Sequence, residues 1–287
     1  MTVSGSSTES TIEPRPLPDG QRAPQGAGEA RAATQHSVAA IVASLHGRTG
    51  KTLLARLLAD YFVLSGSRPL VFDTDSTERT LHAWFPYDTV VVDLGEVRDQ
   101  MILFDTLVSR SPEARVVDVS HHAFRRFFKV MQDSSFAAEA RAREVSPIVF
   151  YIADRNPDAY EEARVLRDRF DECGLVLVEN AFVGPVKDLT RRSASYRALE
   201  DHDLRIALPL LDRGIADAID DPAVSLSEIL SQPLSRGDFR NTTVAGLSFE
   251  QRADLRTWLI KAFRDIHRVI RAVEQRAPSL SPADPLA

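Results

Sequence analysis

The residues best suited to chemistry lie in one short run, His46-Gly47-Arg48-Thr49-Gly50-Lys51-Thr52. Glycines let a backbone turn until successive N–H groups converge on one anion. A lysine followed by a hydroxyl residue then supplies what a nucleotide tail needs. The Lys51 ammonium suits the β- and γ-phosphates, and the Thr52 hydroxyl suits magnesium. The run approaches the pattern G-x-x-x-x-G-K-S/T, with Leu45 standing where the first glycine belongs. The expected ligands are ATP and Mg2+. The bland alternative is a tight strand-to-helix turn that happens to contain Gly-Lys-Thr.

The flanking segments favour the phosphate reading. Val38–Leu45 is a continuous apolar run of the kind found in strands covered on both faces. Thr52–Leu64 places Leu53, Leu54, Leu57, Leu58, Tyr61 and Phe62 at helical spacing. A strand, a glycine-bearing turn and a helix N-terminus are the context such a loop requires, because the helix end adds its partial positive charge.

Further apolar runs at Pro69–Phe72, Thr89–Leu94, Arg115–Val119, Pro147–Ala153, Leu175–Val178 and Leu204–Leu208 alternate with segments near 97–109, 122–143 and 157–171 that read as helices. The alternation predicts an α/β fold, a mostly parallel sheet flanked by helices, with ligands at the carboxyl ends of the strands. The domains are placed at 1–36 (a polar, disordered tail), 37–232 (the nucleotide-binding domain), 233–276 (a loop and an amphipathic helix) and 277–287 (a second disordered tail). Ser248 and Gln251 form a capping box at the start of the last helix.

Composition narrows the classes. A chain of 287 residues, 44% hydrophobic, can bury a large core. A net charge of -6 argues against a protein that coats nucleic acid over its whole surface. The lone Cys173 offers neither a disulfide nor a metal cluster, which suits a cytoplasmic setting. No stretch approaches the ~20 apolar residues of a membrane span.

The loop, followed by Pro69-Leu70-Val71-Phe72-Asp73-Thr74-Asp75, resembles the ParA/MinD-like P-loop ATPases of the CobQ/CobB/MinD/ParA group. Those carry a deviant Walker A, K-G-G-x-G-K-S/T, and a second strand ending in D-x-D. The likeness spans about residues 38–232, and the spacing after Asp75 is closest to conjugal-transfer TraL-like members. By that resemblance Gly47, Thr49, Gly50, Lys51 and Thr52 bind phosphate and magnesium. Asp75 positions the attacking water, and Asp73 is a nearby acid on the magnesium side. Asn180 reads the purine and Pro209 lies beside the base. The same resemblance implies slow, partner-stimulated ATP hydrolysis, a homodimer in the nucleotide-bound state, and a switch that serves partitioning, positioning or conjugation-related cargo.

Several points stay open at this level. Asp73 and Asp75 also suit strand-end caps. Asp93 and Asp118 both close apolar runs and both suit the Walker B acid, the TraL-like spacing favouring Asp118 as a magnesium ligand. The family's signature lysine falls at His46 and its second glycine at Arg48. Arg48 suits a finger on phosphate. Equally, the two departures suit a module that binds nucleotide without hydrolysing it. An ATP-dependent small-molecule ligase or kinase is a further alternative.

The remaining charged and histidine groups have ordinary accounts. His121 and His122 are adjacent rather than spaced for a metal. Arg125-Arg126-Phe127-Phe128-Lys129 reads as an aromatic core face with a solvated basic face, and Arg191, Arg192 and Arg197 as a second basic group on a helix. Either group suits DNA bound without sequence preference. The acidic residues of the C-terminal helix weigh against a membrane surface and toward docking on the domain or on a protein partner.

Overall fold

The computed structural model describes residues 37–86, 88–202, 204–231, 244 and 246–276. The two terminal tails and most of the 236–247 loop lie outside the described residues. In chain order the elements are β1 (Ser37–Ala43), α1 (Lys51–Leu64), β2 (Leu70–Asp73), α2 (Thr80–Trp84), β3 (Thr89–Val91), α3 (Val97–Val108), β4 (Arg115–Asp118), α4 (Phe124–Asp133), α5 (Phe136–Ala142), β5 (Val145–Ala153), α6 (Pro157–Arg169), β6 (Gly174–Asn180), α7 (Asp188–Arg191), α8 (Ala194–Glu200), β7 (Arg205–Leu208), α9 (Arg213–Ile219), α10 (Leu226–Ser231) and α11 (Phe249–Arg276).

The seven strands form one sheet in the order β3-β2-β4-β1-β5-β6-β7, and every neighbouring pair is parallel. This is the expected α/β architecture. β1 lies at the centre, fully buried along its length. Alternate residues serve the two faces. Val38, Ala40 and Val42 join a core with α1, α9, α10 and α11, while Ala39, Ile41 and Ala43 join a core with α3 to α6. A strand with apolar partners on both faces needs the unbroken Val/Ala/Ile run the sequence displays.

Two details differ from the sequence expectation. The segment 122–143 is two helices, because Ser135 takes a left-handed φ of 51° and turns the chain between α4 and α5. The group Arg191, Arg192 and Arg197 spans α7 and α8, which part at Ser193, the N-cap of α8. Phe124, Phe127 and Phe128 are buried while Arg125, Arg126 and Lys129 face solvent, the division expected of that mixed segment.

α11 lays its apolar side into the core. Leu255, Trp258, Leu259, Ala262, Phe263, Ile266, Val269, Ile270 and Val273 are all buried against the sheet and α1. The surface a membrane would need is therefore used inside the fold, and among the described residues no helix is long and apolar enough to cross a membrane. The polar side works on the sheet edge. Lys261 donates to the Ala207 carbonyl at 3.0 Å and Arg268 to the Arg205 carbonyl, both on β7. Trp258 donates to the Pro209 carbonyl at 2.9 Å.

The capping box forms as read. The Ser248 hydroxyl accepts from Gln251 N at 3.1 Å and the Gln251 side chain accepts from Ser248 N at 3.0 Å. Ser248→Ala is expected to cost about 1 kcal/mol in urea unfolding; no change in the midpoint would mean that packing alone holds the helix start.

Candidate functional site

The 46–52 run leaves the end of β1, where its neighbours β4 and β5 also end. Gly50 is the residue before α1, at φ 92°, and its carbonyl accepts the first helical bond, from Leu54 N, at 3.0 Å. A Cβ on Gly50 would sit 2.4 Å from the Asn180 amide nitrogen, so both the backbone angle and the close approach demand glycine. Arg48 holds φ 58°, so the loop keeps a glycine-like backbone where the sequence departs from glycine. That conformation costs a non-glycine residue ~1–2 kcal/mol. Arg48→Gly is accordingly expected to raise unfolding stability by about 0.5–1 kcal/mol, after the extra freedom of glycine in the unfolded chain is deducted. Thermal unfolding checks it, and a loss of stability would mean that the arginine makes compensating contacts.

Lys51 opens α1, is only 8% exposed, and donates to the His46 carbonyl at 3.1 Å, closing the loop on itself. Burial lowers its pKa, while Asp118 and Asp75 oppose the shift. Thr52 donates to Asp118 Oδ2 at 2.7 Å. Asp118 ends β4, in register with Val42 of β1 on one side and Asp73 of β2 on the other. Its other oxygen, Oδ1, is buried without a hydrogen-bond partner. Burial pushes the Asp118 carboxyl up to about 7; Thr52 and Lys51 pull it down, and Asp73 and Asp75 push it further up. A hydroxyl and an orphaned buried carboxylate oxygen, with two more acids close by, are a donor set that fits a small hard cation such as Mg2+. Asp93 is instead exposed just past β3 at the edge of the sheet, accepting from Gly95 N at 2.7 Å.

Asp73 and Asp75 both act as turn caps. Asp73 accepts from Asp75 N at 2.9 Å and from Leu81 N at 3.0 Å, one bond to each oxygen. Asp75 accepts from Thr77 N and Glu78 N through one oxygen. It nevertheless stands close enough to bear on Lys51, Asp118 and His121.

Asn180 is buried at the end of β6 and uses both ends of its amide on backbone. Nδ2 donates to the Thr49 carbonyl at 2.9 Å, and Oδ1 accepts from Phe182 N at 3.1 Å. It therefore props the 46–52 loop from two strands away. Pro209 follows β7, three strand positions from β1, which is ~14 Å across the sheet. The structure thus gathers His46 to Thr52, Asp75, Asp118 and Asn180 around one loop, and leaves Pro209 at the margin.

Sequence reasoning gave His121 an ordinary account and passed over Asp154, and the structure sets both beside the loop. The His121 ring lies 3.3 Å from a Cβ built on Gly47 and covers that glycine; burial lowers its pKa, with His122 and Lys51 adding to the effect. Asp154 follows the apolar run of β5, and its Oδ2 lies 2.7 Å from His46 Nδ1. A carboxylate closing an apolar strand run is the signal that pointed to Asp93 and Asp118, and it applies equally to Asp154.

No protein-family model and no curated protein matches this chain. Solved structures do resemble it. A nucleotide-binding protein from Archaeoglobus fulgidus, in complex with ADP, is 13% identical, with 65% of this chain and 86% of that one covered, at a TM-score of 0.39. MinD from Aquifex aeolicus, a cell division protein, is 12% identical, with 81% and 98% covered, at 0.41. The MinC:MinD complex from the same organism gives 12%, with 81% and 96% covered, at 0.40. At this level of superposition the roles of individual residues rest on the geometry of this chain alone.

Proposed function

We propose that the 46–52 loop binds ATP with Mg2+ and that the protein works as a cytoplasmic nucleotide-dependent switch of the ParA/MinD-like kind. One observation carries the reading: a buried lysine at a helix N-terminus stands beside a Thr52–Asp118 pair whose second carboxylate oxygen has no partner. In this reading Lys51 and the loop N–H groups hold the β- and γ-phosphates. Thr52 and Asp118 hold Mg2+, which neutralises phosphate charge when bound. Asp75 faces the same space and is the residue for placing a water on the γ-phosphate. Asn180 holds the loop in shape. A nucleotide-dependent homodimer, and cargo in the form of DNA or a protein partner, complete the proposal.

The hydrolysis-deficient alternative has its own support. His46 stands where the family's lysine would be, and its ring lies against Asp154 and Asp158 of its own chain. Titration calorimetry with ATP and GTP in magnesium, with size exclusion on the same samples, tests the whole reading. The switch predicts saturable ATP binding and a shift to dimer. Binding without self-association or turnover favours the passive module. No binding of either nucleotide at millimolar concentration ends the proposal.

A further inference from the structure

We propose that the exposed face of α3 is a two-fold contact, packing antiparallel on the same face of a second copy of this chain. The inner side of the helix is ordinary: Leu103, Phe104, Leu107 and Val108 bury it in the core. The outer side departs from what water favours. Val97, Met101 and Ile102 are 68, 58 and 41% exposed. Val97 and Met101 stand one turn apart, and Met101 and Ile102 sit at the middle of the helix. The three therefore form one contiguous patch rather than scattered exposed side chains, and such patches mark contacts.

The charges on that face say what covers it. Arg98 and Asp105 are both exposed and lie two turns apart, on the same side of the helix as the patch. They are ~10 Å apart along the axis, too far to pair with each other. Among the described residues neither forms an ion pair. Both signs also oppose the helix dipole, with the cation in the first turn and the anion in the last. The two charges thus weaken α3 as an isolated helix, and their placement calls for a partner outside it.

A two-fold axis between Met101 and Ile102 supplies that partner. Arg98 and Asp105 are equidistant from this axis in sequence. Antiparallel packing about it sets Arg98 against the partner's Asp105 and Asp105 against the partner's Arg98, with Met101 and Ile102 of both copies meeting at the centre. One patch is then complementary to itself, as an isologous contact requires. Two ion pairs flank an apolar middle, the usual anatomy of an interface. Parallel packing would instead face Arg98 with a second Arg98. One helix per copy falls short of the ~800 Å2 per partner of a standard interface, so the association is weak and shows at high concentration. α3 contributes no residue to the 46–52 loop, so this contact needs no nucleotide and is separate from the nucleotide-dependent dimer proposed above.

Sedimentation equilibrium of the full chain without nucleotide, over a series of concentrations, tests the contact. A reversible monomer–dimer equilibrium is expected, with a dissociation constant on the order of 0.1 mM. Arg98→Glu or Asp105→Arg alone faces like charges on both flanks and is expected to weaken association about tenfold. Each reversal puts its charge at the helix end that favours it, so loss of folding is not the cause, and circular dichroism checks this. The double variant swaps the pair and is expected to restore wild-type association, a recovery that a purely structural role would not give. Met101→Glu places two like charges at the axis and is expected to abolish the dimer. A chain that stays monomeric at about 1 mM would overturn the contact. So would single reversals without effect, or a double variant that does not recover. A dimer that forms only with ATP and ignores every α3 variant would overturn it too, while supporting the nucleotide-dependent one.

Discussion

Lys51→Ala is expected to weaken ATP binding by about a hundredfold, corresponding to the ~1.5–3 kcal/mol of a hydrogen bond to a charged group. The lysine is poised for that role before any ligand arrives. It is almost wholly buried, its ammonium rests on the His46 carbonyl, and Asp118 and Asp75 oppose the fall in pKa that burial imposes. Phosphate offers the ammonium a stronger acceptor than the carbonyl does. Calorimetric titration of the wild type and the variant checks the loss, with thermal unfolding to show that the variant is folded. If both bind ATP equally, Lys51 only closes the turn and the nucleotide site must be sought elsewhere.

The largest effect on stability is expected at Arg56, one turn beyond Thr52 on α1. The residue is 2% exposed, and its guanidinium donates to the Ile219 and Val224 carbonyls and lies 4.8 Å from the Trp84 ring centroid. Asp60, one turn on, accepts from Ser227 N at 3.0 Å. Together these two side chains of α1 pin α9 and α10 to the sheet domain. Arg56→Met keeps most of the apolar stem but leaves two buried carbonyls without a donor. The expected loss is about 3–5 kcal/mol, or about 10–15 °C in Tm. A loss below about 1 kcal/mol in denaturant unfolding would show that water takes over both carbonyls.

Much of this fold is written in local pattern. The seven apolar runs become the seven strands, since a strand buried on both faces tolerates little polar interruption, as in Val38, Ala39, Ala40, Ile41 and Val42. The break at Ser134–Ser135 could not be read, because Phe136 and Ala140 keep the apolar spacing while the turn depends on a single left-handed residue. The strand, turn and helix around residues 46–52 were legible for the same reason as the other strands: glycine, lysine and threonine sit between an apolar run and a helical one. The partners of the loop were not. Asn180 is 131 positions from Thr49, and only the sheet order that puts β6 two places from β1 brings them together. Asp73 and Asp75 show the converse. Their motif suggested chemistry or strand-end caps, and the structure shows the capping role in the turn before α2.

The sheet also ends differently on its two sides. At β7, Lys261 and Arg268 of α11 already occupy the carbonyls of Ala207 and Arg205. At β3, where Val90 is exposed, no described strand pairs beyond it. An added strand would have to evict two cations at the first border and would meet none of them at the second. The sheet therefore has a direction of growth: any lengthening by backbone pairing, wanted or pathological, starts from the three residues of β3.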